Sequence, residues 1–388
     1  MSSVEVSVLM PCLNEAETVG VCVARARQWL VEAGVTGEVV VADNGSTDGS
    51  PALATAAGAR VLSVAQRGYG AAIFAGSEAA AGRYIIVGDA DDSYDFSALS
   101  PFLDALRAGA DLVVGNRFRG GIAPGAMPFL NRYLGNPVLT LIGRVLTGSP
   151  LGDFHCGLRG YSGEAFRRMD LRTMGMEFAS EMIMKATHFG MNVVEVPTTL
   201  RPAGRSRPPH LRPWSDGWRH LRFMLLYSPA WLFLYPGLVL IAIGLLAGGA
   251  VIGGPLEIRG RVFDVHTLVY ASCAVLVGWK AVIFAVLSSI FAMNQGLRRE
   301  EPVMRRVAGI LTLERGLLAG LGLVVAGLGF ALSSLWIWGA HSFGPLVPAE
   351  TMRVVIPGVT VLMLGCDTIL GSFFLSTLHL SNSIRVKS

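Results

Sequence analysis

Charged residues are scarce in this sequence. Only 15 % of its 388 residues are Asp, Glu, Lys or Arg, whereas an average soluble domain has about 25 %. Hydrophobic residues make up 52 %, and the mean hydropathy is +0.51. This balance excludes an intrinsically disordered chain and a wholly soluble globule. Of the 28 acidic residues, 21 precede Pro229 and 7 follow it, so we predict a water-soluble domain followed by a membrane domain.

Lysine and cysteine are also rare. Lysines stand only at positions 185, 280 and 387, so arginine supplies nearly all of the positive charge. Since no basic helix is interleaved with aromatic residues, we exclude nucleic acid as a partner. The 5 cysteines contain no Cys-x-x-Cys pair, which argues against a zinc site and against a disulfide framework. The cysteine content suits a reduced, cytoplasmic domain.

Short apolar runs alternate with helical stretches through the first domain. This alternation is typical of an α/β domain with a Rossmann-like, mainly parallel sheet. Ligands bind such sheets beyond the carboxyl ends of the strands, and the polar clusters 14–15, 43–44 and 89–92 all follow strands there. The predicted strands are 4–10, 38–42, 60–64, 83–88, 111–115 and 192–196, and the predicted helices are 16–33, 70–81 and 177–189.

The rest of the chain carries four long apolar stretches. Each reaches the roughly 20 residues that are needed to cross the hydrocarbon core of a bilayer. A basic, proline-rich connector and an aromatic surface helix suited to the bilayer interface precede them. We predict a domain over 1–212, an interfacial helix over 213–228 and a four-helix transmembrane domain over 229–388, with spans at 229–253, 268–292, 316–338 and 354–378.

Arginine and lysine in the short loops predict the orientation, because positive loops stay on the cytoplasmic side. The loop after the second span is rich in arginine, and the tail and the segment before the first span are basic too. We expect the N-terminal domain, this loop and the C-terminus on the cytoplasmic side of the inner or plasma membrane. Residues 296–313 are expected to form an amphipathic helix on the membrane surface.

Two charged residues fall inside the spans, Lys280 in the second and Asp367 in the fourth. An unpaired charge at that depth costs several kcal/mol. We therefore predict an ion pair that fixes helix packing, with an ion or proton path as the alternative. The pattern Gly316-x-x-x-Gly320 can pack helices within one chain or between two, so a homo-oligomer stays open.

Two aspartates close the fourth predicted strand. Asp89 and Asp91 stand where the strand gives way to a turn, so both carboxylates can reach one hard cation. Mg²⁺ and Mn²⁺ are bound by one or two carboxylates together with substrate phosphate oxygens. The pattern indicates a divalent-metal site for a phosphorylated substrate, and an ordinary acidic turn is the alternative.

The other strand ends carry polar residues as well. Asp43 and Asn44 can hydrogen-bond the edge of a base or ribose, or else form an Asx turn or a helix cap. The segment 11–15 ends the first strand and faces the same crevice. The glycine-rich turn 67–70 precedes a helix and can approach a phosphate closely.

The first domain contains six motifs that occur in a fixed order and are followed by the apolar C-terminal region. The motifs are PCLNEAETV, VVADNGSTDGS, RGYGAA, GDADDSYDF, GNRF and RPAGRSR. Together they resemble glycosyltransferase family 2, and in particular polyprenyl-phosphate hexose synthases of the dolichol-phosphate mannose synthase type. The similarity covers residues 4–210. It implies a GT-A fold, a nucleotide-sugar donor, Mg²⁺ or Mn²⁺, and a lipid phosphate acceptor.

The resemblance implies roles for the residues on the donor side. Asp89 and Asp91 would hold the metal on the donor diphosphate, with Ala90 between them. Ser93 stands where relatives often have a glutamine ligand, so the third ligand would be Ser93, Asp92 or water. The residues that border the nucleotide would be Pro11, Leu13, Glu15, Asp43 and Asn44.

Arginines would neutralise the phosphates. Arg117 would meet phosphate and Arg132 would face the acceptor phosphate, because a guanidinium binds phosphate bidentately. Arg201 and Arg207 match a basic pair that closes over the donor diphosphate. The predicted catalytic residues are Asp91, Arg117, Arg132 and Asp153.

Acidic positions further along are less well defined by the resemblance. Asp153 matches an acidic loop position, but His155 and Cys156 stand where relatives often have Thr-Ser. Glu177 and Glu181 would be sugar contacts or part of a solvated helix face.

The implied activity is inverting, metal-dependent transfer of a hexose from UDP-glucose or GDP-mannose to undecaprenyl or dolichyl phosphate. Such a lipid phosphate is already anionic and needs no dedicated base. A hydroxyl acceptor on another membrane lipid would need one, and Asp153 is the candidate. A non-catalytic lipid-sugar flippase or scaffold is a further alternative, whereas the absence of a Q-x-x-R-W string argues against a processive polysaccharide synthase.

Overall fold

The structure is a computed structural model that describes residues 4–207, 213–294 and 312–385. It divides into two compact units, Met1–Leu225 and Leu226–Ser388. The amphipathic helix expected over 296–313 lies outside the described residues, except for its last two positions.

The first unit is built around one seven-stranded sheet. Its strands are β1 (Val6–Cys12), β2 (Gly37–Asp43), β3 (Arg60–Ser63), β4 (Tyr84–Val87), β5 (Leu112–Asn116), β6 (Arg159–Ser162) and β7 (Val193–Pro197). Their order across the sheet is β3-β2-β1-β4-β6-β5-β7. Neighbouring strands are parallel, except that β6 runs antiparallel to both β4 and β5. The prediction of a mainly parallel sheet is confirmed.

The central strand β1 runs two residues further than its apolar run predicts and includes Pro11. Proline has no N–H to give to a sheet. The Leu9 carbonyl accepts a hydrogen bond from the N–H of Gly88, just beyond β4, at 3.1 Å. Since alternate residues of a strand face the same neighbour, Pro11 also faces that side, where β4 has ended. The proline therefore removes no bond from the sheet.

Strand β6 is not predicted by the sequence pattern, because it contains no apolar run. Arg159 in this strand is 4 % exposed. Its guanidinium donates hydrogen bonds to the carbonyls of Phe154, Cys156 and Ala179 at 2.6–2.8 Å. These carbonyls replace water as its partners, which is what makes burial of the charge tolerable.

Helices pack against the sheet through buried aromatic and aliphatic side chains, such as Trp29 and Phe102. The predicted helices over 16–33, 70–81, 177–189 and 213–228 are confirmed with adjusted ends. A π-helical turn, Asn131–Gly135, leads into another helix that was not predicted. The helices of this unit are α1 (Val19–Glu32), α2 (Ser50–Ala56), α3 (Tyr69–Ala79), α4 (Ser100–Arg107), α5 (Arg117–Gly120), α6 (Asn136–Thr147), α7 (Gly163–Met169), α8 (Phe178–His188) and α9 (Pro213–Leu226).

The second unit contains, within its described residues, four helices that are long and apolar enough to cross a membrane. Only 11–33 % of the most apolar window of each helix is buried, so apolar side chains face outward as they do toward lipid. The four predicted apolar helices are confirmed, and the limits of the spans stay a prediction. The elements are a π-helical turn (Ala230–Leu234), α10 (Tyr235–Val251), the hairpin β8 (Leu256–Ile258) and β9 (Arg261–Phe263), α11 (Val265–Asn294), α12 (Leu313–Ala340) and α13 (Pro348–Arg385).

Glycines set the close approach of α12 and α13. A Cβ placed on Gly320 would lie 2.9 Å from the Gly365 carbonyl, and one on Gly365 would lie 2.8 Å from the Gly320 carbonyl. A Cβ on Gly316 would collide with the side chain of Ser372. The Gly316-x-x-x-Gly320 pattern is therefore used for packing within this chain.

The ion pair predicted between Lys280 and Asp367 is confirmed. The Lys280 Nζ lies 2.7 and 2.5 Å from the two carboxylate oxygens of Asp367. Beside it, the indole N–H of Trp279 donates to the hydroxyl of Thr368 at 3.2 Å. These polar contacts join α11 to α13.

Candidate active site

Three loops leave the carboxyl edge of the sheet side by side. Strand β1 lies between β2 and β4 and is parallel to both. The loops that follow these strands contain residues 13–15, 43–44 and 89–93. The hydroxyl of Thr18 donates to the Ala90 carbonyl at 2.7 Å, which ties the first loop to the third. The polar clusters therefore gather at one edge, as predicted.

Asp89 and Asp91 place two carboxylates in the third loop. Asp89 accepts a hydrogen bond from the hydroxyl of Tyr69 at 2.9 Å. Asp91 accepts bonds from the N–H and the hydroxyl of Ser93, at 3.1 and 2.6 Å. Burial, and then the negative charge of Asp91, raise the pKa of Asp89 to about 7. A nearby cation would remove this penalty on ionisation.

The two carboxylates fit a divalent cation that is shared with a substrate. Within the part of the chain that the structure describes, no cluster of three or more His, Cys, Asp and Glu residues could hold a metal. Mg²⁺ needs only one or two protein carboxylates when substrate phosphates supply further oxygens. Asp89 and Asp91 meet this requirement. Ser93 orients the Asp91 carboxylate through its hydroxyl, and its role as a metal ligand stays a prediction.

A basic loop, residues 201–207, lies over these aspartates. The N–H of Gly204 donates to the Asp91 carbonyl at 2.9 Å. The N–H of Arg201 donates to the Ser93 carbonyl, also at 2.9 Å. Backbone bonds thus hold the basic loop against the loop that carries the carboxylates.

Arg205 is the basic-loop residue whose guanidinium reaches the carboxylates. It contacts Glu15 and lies 3.2 Å from Asp91 Oδ2. Arg207 bonds the same Glu15 oxygen at 2.5 Å. Burial raises the pKa of Glu15 even though both arginines oppose the shift. The RPAGRSR string contains Arg205, but the string alone does not show which of its arginines faces the aspartates.

The other residues expected around the donor lie nearby. The Arg201 guanidinium pairs with Asp95 at 2.5 Å and is half-exposed, so it does not bond the metal-site carboxylates. Pro11 is buried at the end of β1, and the Leu13 carbonyl accepts a bond from Arg207 at 2.9 Å. Their contacts with a nucleotide stay predictions.

Asp43 and Asn44 shape the turns at the end of β2. The Asp43 carboxylate accepts a hydrogen bond from the N–H of Gly45 at 3.1 Å. This bond forms an Asx turn, one of the alternatives that the sequence offered. The Asn44 amide donates to the Gln66 carbonyl at 2.7 Å and accepts from the N–H of Gly68 at 2.8 Å. Asn44 thus fixes the glycine-rich turn, and the base or ribose contact expected of the two residues stays a prediction.

The glycine-rich turn is covered by a loop that Glu181 organises. Gly68 has a φ of +139°, and a Cβ there would lie 2.0 Å from the Met174 carbonyl. Glu181 is fully buried, accepts bonds from the N–H and hydroxyl of Thr173 at 2.8 and 2.6 Å, and pairs with Lys185 at 2.9 Å. The expectation that Glu181 belongs to a solvated helix face is therefore wrong. Its carboxylate is buried, and backbone N–H groups of a neighbouring loop replace water as its hydrogen-bond partners.

Arg117 and Asp153 form a bidentate ion pair. The distances are 2.7 Å from Nε to Oδ2 and 2.8 Å from Nη2 to Oδ1. Asp153 is fully buried, and its N–H donates to Glu195 at 3.0 Å. With both oxygens bonded, Asp153 is unsuited to act as a base for a hydroxyl acceptor. The phosphate contact expected of Arg117 stays a prediction.

Arg132 lies in a strongly amphipathic segment. It occupies the π-helical turn before α6, with its guanidinium 5.5 Å from the ring centre of Tyr133. Exposed apolar side chains at helical spacing form what we call the apolar stripe. Soluble surfaces rarely carry such a continuous patch, and helices of this kind lie in bilayer interfaces. The stripe consists of Phe129, Tyr133, Leu134, Val138, Leu141 and Val145.

Helix α9 has a comparable division between its faces. Trp214 and Trp218 are 78 % and 58 % exposed, as expected for the interfacial helix, whereas His220 and Met224 are buried. Tryptophan is enriched at the headgroup level of membranes.

Two family profiles match the chain. The one described as glycosyl transferase family 2 covers residues 7–170, and the one described as the family 2 C-terminal transmembrane region covers residues 286–379. A low-salt glycan biosynthesis hexosyltransferase of Haloferax volcanii is 37 % identical over 377 residues, which is 96 % of this chain and 88 % of the relative.

Shorter matches include a dolichyl-phosphate hexose transferase of Haloferax volcanii, 31 % identical over 55 % of this chain and 89 % of the relative. A polyprenol monophosphomannose synthase of Mycolicibacterium smegmatis is 32 % identical over 50 % of this chain and 76 % of the relative. A solved structure of glucosyl-3-phosphoglycerate synthase from Mycobacterium tuberculosis, with Mn²⁺, UDP-glucose and phosphoglyceric acid, is 25 % identical, with a TM-score of 0.45, over 58 % of this chain and 79 % of that chain. On the strength of the relative that spans nearly its whole length, and of the two profiles, this chain belongs to glycosyltransferase family 2 and is a membrane enzyme.

Proposed function

We propose that the enzyme transfers a hexose from a nucleotide-sugar to a polyprenyl phosphate, with inversion at the anomeric carbon and with Mg²⁺ or Mn²⁺. The observation that carries this proposal is the pair Asp89 and Asp91 beneath the basic loop, in a unit that also exposes the apolar stripe around Arg132. The carboxylates suit a metal-bound diphosphate, and the stripe suits an acceptor that sits in lipid. Two relatives are named for transfer to dolichyl phosphate and for polyprenol monophosphomannose synthesis, which supports the same acceptor class.

On the donor side, the chain provides charge neutralisation. A bound divalent cation acts as a Lewis acid on the leaving diphosphate, and Asp89 and Asp91 are the residues that would hold it. Arg205 and Arg207 place two guanidinium groups beside these carboxylates. Cations fixed in advance where negative charge develops stabilise the transition state without reorganisation.

On the acceptor side, the chain needs to align the reactants and does not need to remove a proton. A phosphate monoester has a second pKa of about 6, so its oxygen is already a nucleophile at neutral pH. Arg132 can bind that phosphate bidentately while the apolar stripe rests in the bilayer interface. One in-line displacement then inverts the anomeric carbon. The product, a lipid-phosphate-sugar, can serve as a donor in glycan or envelope assembly.

The same proposal includes an orientation. The arginine-rich loop after the second span and the basic tail favour the cytoplasmic side for the catalytic unit and the C-terminus.

A donor screen tests the proposal. Full-length protein in liposomes receives undecaprenyl phosphate, Mg²⁺ or Mn²⁺, and each labelled UDP- or GDP-hexose in turn, and label is counted in the lipid extract before and after mild acid. One donor should give acid-labile lipid label, and Asp91→Ala should abolish it. Asp104→Ala, an exposed position in α4, is the matched control and should transfer normally. Full activity of Asp91→Ala would refute the metal role, and no label from any donor would refute the acceptor.

A further inference from the structure

A cluster of two histidines and a serine lies behind the loop that carries Asp153. His155 is in this loop, Ser180 is in α8 and His220 is in α9. The Ser180 hydroxyl lies 2.8 Å from His220 Nδ1 and 3.4 Å from His155 Nε2. The two imidazole rings meet edge to face with centroids 4.5 Å apart. The cluster therefore joins the membrane-proximal helix α9 to the Asp153 loop.

The contacts determine where the protons lie. His155 Nδ1 is buried without a hydrogen-bond partner, and a bare acceptor there costs less than an N–H without an acceptor. His155 thus carries its proton on Nε2 and donates to Ser180, whose hydroxyl donates to His220 Nδ1. This chain of two hydrogen bonds requires both rings to be neutral.

Protonation of either ring would leave a donor in the cluster without an acceptor. A second proton on His155 would create a buried donor at Nδ1 with no acceptor. A proton on His220 Nδ1 would make both rings donate to the Ser180 oxygen and leave the serine proton without an acceptor in the cluster. A buried donor without an acceptor destabilises the docked state.

Burial and the neighbouring arginines oppose protonation as well, whereas the Asp216 carboxylate favours it at His220. Burial, followed by the nearby ring of His220 and the guanidinium groups of Arg117 and Arg159, lowers the pKa of His155 well below its usual value. Burial lowers the pKa of His220 to about 4. The charged groups that face the two rings are Arg117 on α5, Arg159 on β6 and Asp216 on α9, of which Arg117 is paired with Asp153 and Asp216 with Arg219.

We propose that His155 and His220 are positioning residues, which dock α9 onto the Asp153 loop and complete the acceptor side of the site only while both rings are neutral. Asp153 holds Arg117 through two hydrogen bonds, so a displaced loop displaces Arg117. The outer face of α9 exposes the two tryptophans suited to the bilayer interface. That this loop serves the acceptor side is part of this proposal, and it rests on the proposed function.

Hydrogen exchange tests the docking without substrate. Full-length protein in nanodiscs is measured from pH 7.5 to 5.0, with rates corrected for intrinsic exchange. Taking an undocked histidine pKa of about 6.5 and the docked value of about 4 for His220, protonation of this ring alone favours the undocked state by roughly 25-fold over that range. Exchange over residues 151–158 and 214–226 should rise together by at least this factor.

Three variants separate docking from mere stability. His220→Asn keeps an acceptor near the position of Nδ1 and cannot be protonated, so exchange at pH 7.5 should match the wild type and the rise should be roughly 25-fold smaller. His220→Ala should exchange fast at every pH. His188→Asn, a partly buried position at the end of α8, is the control and should retain the full rise. Equal behaviour of the Asn and Ala variants, or no rise in the wild type, would overturn the proposal.

Kinetics at pH 7.5 provide the functional readout. His220→Ala should raise the KM for polyprenyl phosphate and leave the KM for the nucleotide-sugar unchanged, and His220→Asn should restore the acceptor KM. An equal rise in both KM values would overturn the positioning role. Hydrogen exchange could behave as expected while neither the wild type nor any variant glycosylates polyprenyl phosphate. That result would support the docking of α9 and refute the proposed acceptor.

Discussion

The ion pair of Lys280 with Asp367 makes a sharp prediction about the membrane unit. Lys280→Met removes the ammonium and leaves the Asp367 carboxylate, 14 % exposed, among four apolar helices. A lone charge at the centre of a span costs roughly 2.5–3.5 kcal/mol on insertion scales. Asp367→Leu likewise leaves the Lys280 ammonium without its counter-charge. The double variant leaves no charge, so its cost should be close to zero and the coupling energy should be roughly 5–7 kcal/mol, the sum of the two single losses.

Thermal unfolding of the four proteins in one lipid composition measures this coupling. With roughly 2–4 °C of midpoint shift per kcal/mol for a unit of this size, each single variant should unfold roughly 5–14 °C below the wild type. The double variant should recover most of that loss. An exchanged pair, Lys280→Asp with Asp367→Lys, should also fold, because it preserves the two charges. Additive losses in the double variant would refute the reasoning.

The remaining predictions concern the first unit. Leu141→Glu puts a charge in the apolar stripe and should raise the KM for polyprenyl phosphate by about tenfold or more, since burial of a leucine contributes roughly 1.5–3 kcal/mol; an unchanged acceptor KM would contradict the stripe's role. Mn²⁺ binding to substrate-free protein, followed by calorimetry, should weaken by about tenfold per pH unit below 7, because the Asp89 carboxyl, with a pKa of about 7, takes up the proton that competes with the metal. Asp153→Asn leaves Arg117 buried without its counter-charge and should cost roughly 3–5 kcal/mol, seen as earlier thermal unfolding; an unchanged midpoint would mean that the pair is not buried in solution.

The strands and spans could be predicted because a segment that is buried, or surrounded by lipid, on both sides consists of a continuous run of apolar residues. An apolar run such as IIV in β4 needs no partner to be recognised, and 20 or so apolar residues identify a span by length alone. The carboxyl ends of parallel strands share an edge, so Asp89 and Asp91 could be placed beside Asn44 before any geometry was known.

Partners distant in sequence could not be predicted in the same way. Arg159 and Glu181 read as surface residues by type, yet both are buried, since backbone carbonyls and N–H groups from other loops satisfy them. Arg205 was one arginine among three in its string, and only the course of the loop decides that it reaches Asp91. Residue type reports what a side chain needs, whereas the tertiary fold decides which group supplies it.

The distance in sequence between Lys280 and Asp367 has a consequence for synthesis of the protein. The two residues lie 87 positions apart, and at roughly 5–20 residues per second the ribosome needs about 4–17 s to make the intervening chain. The helix with Lys280 therefore enters the membrane seconds before its counter-charge exists. During that interval the ammonium must be held by water, by the insertion machinery or by a lipid headgroup, and the fourth span releases it.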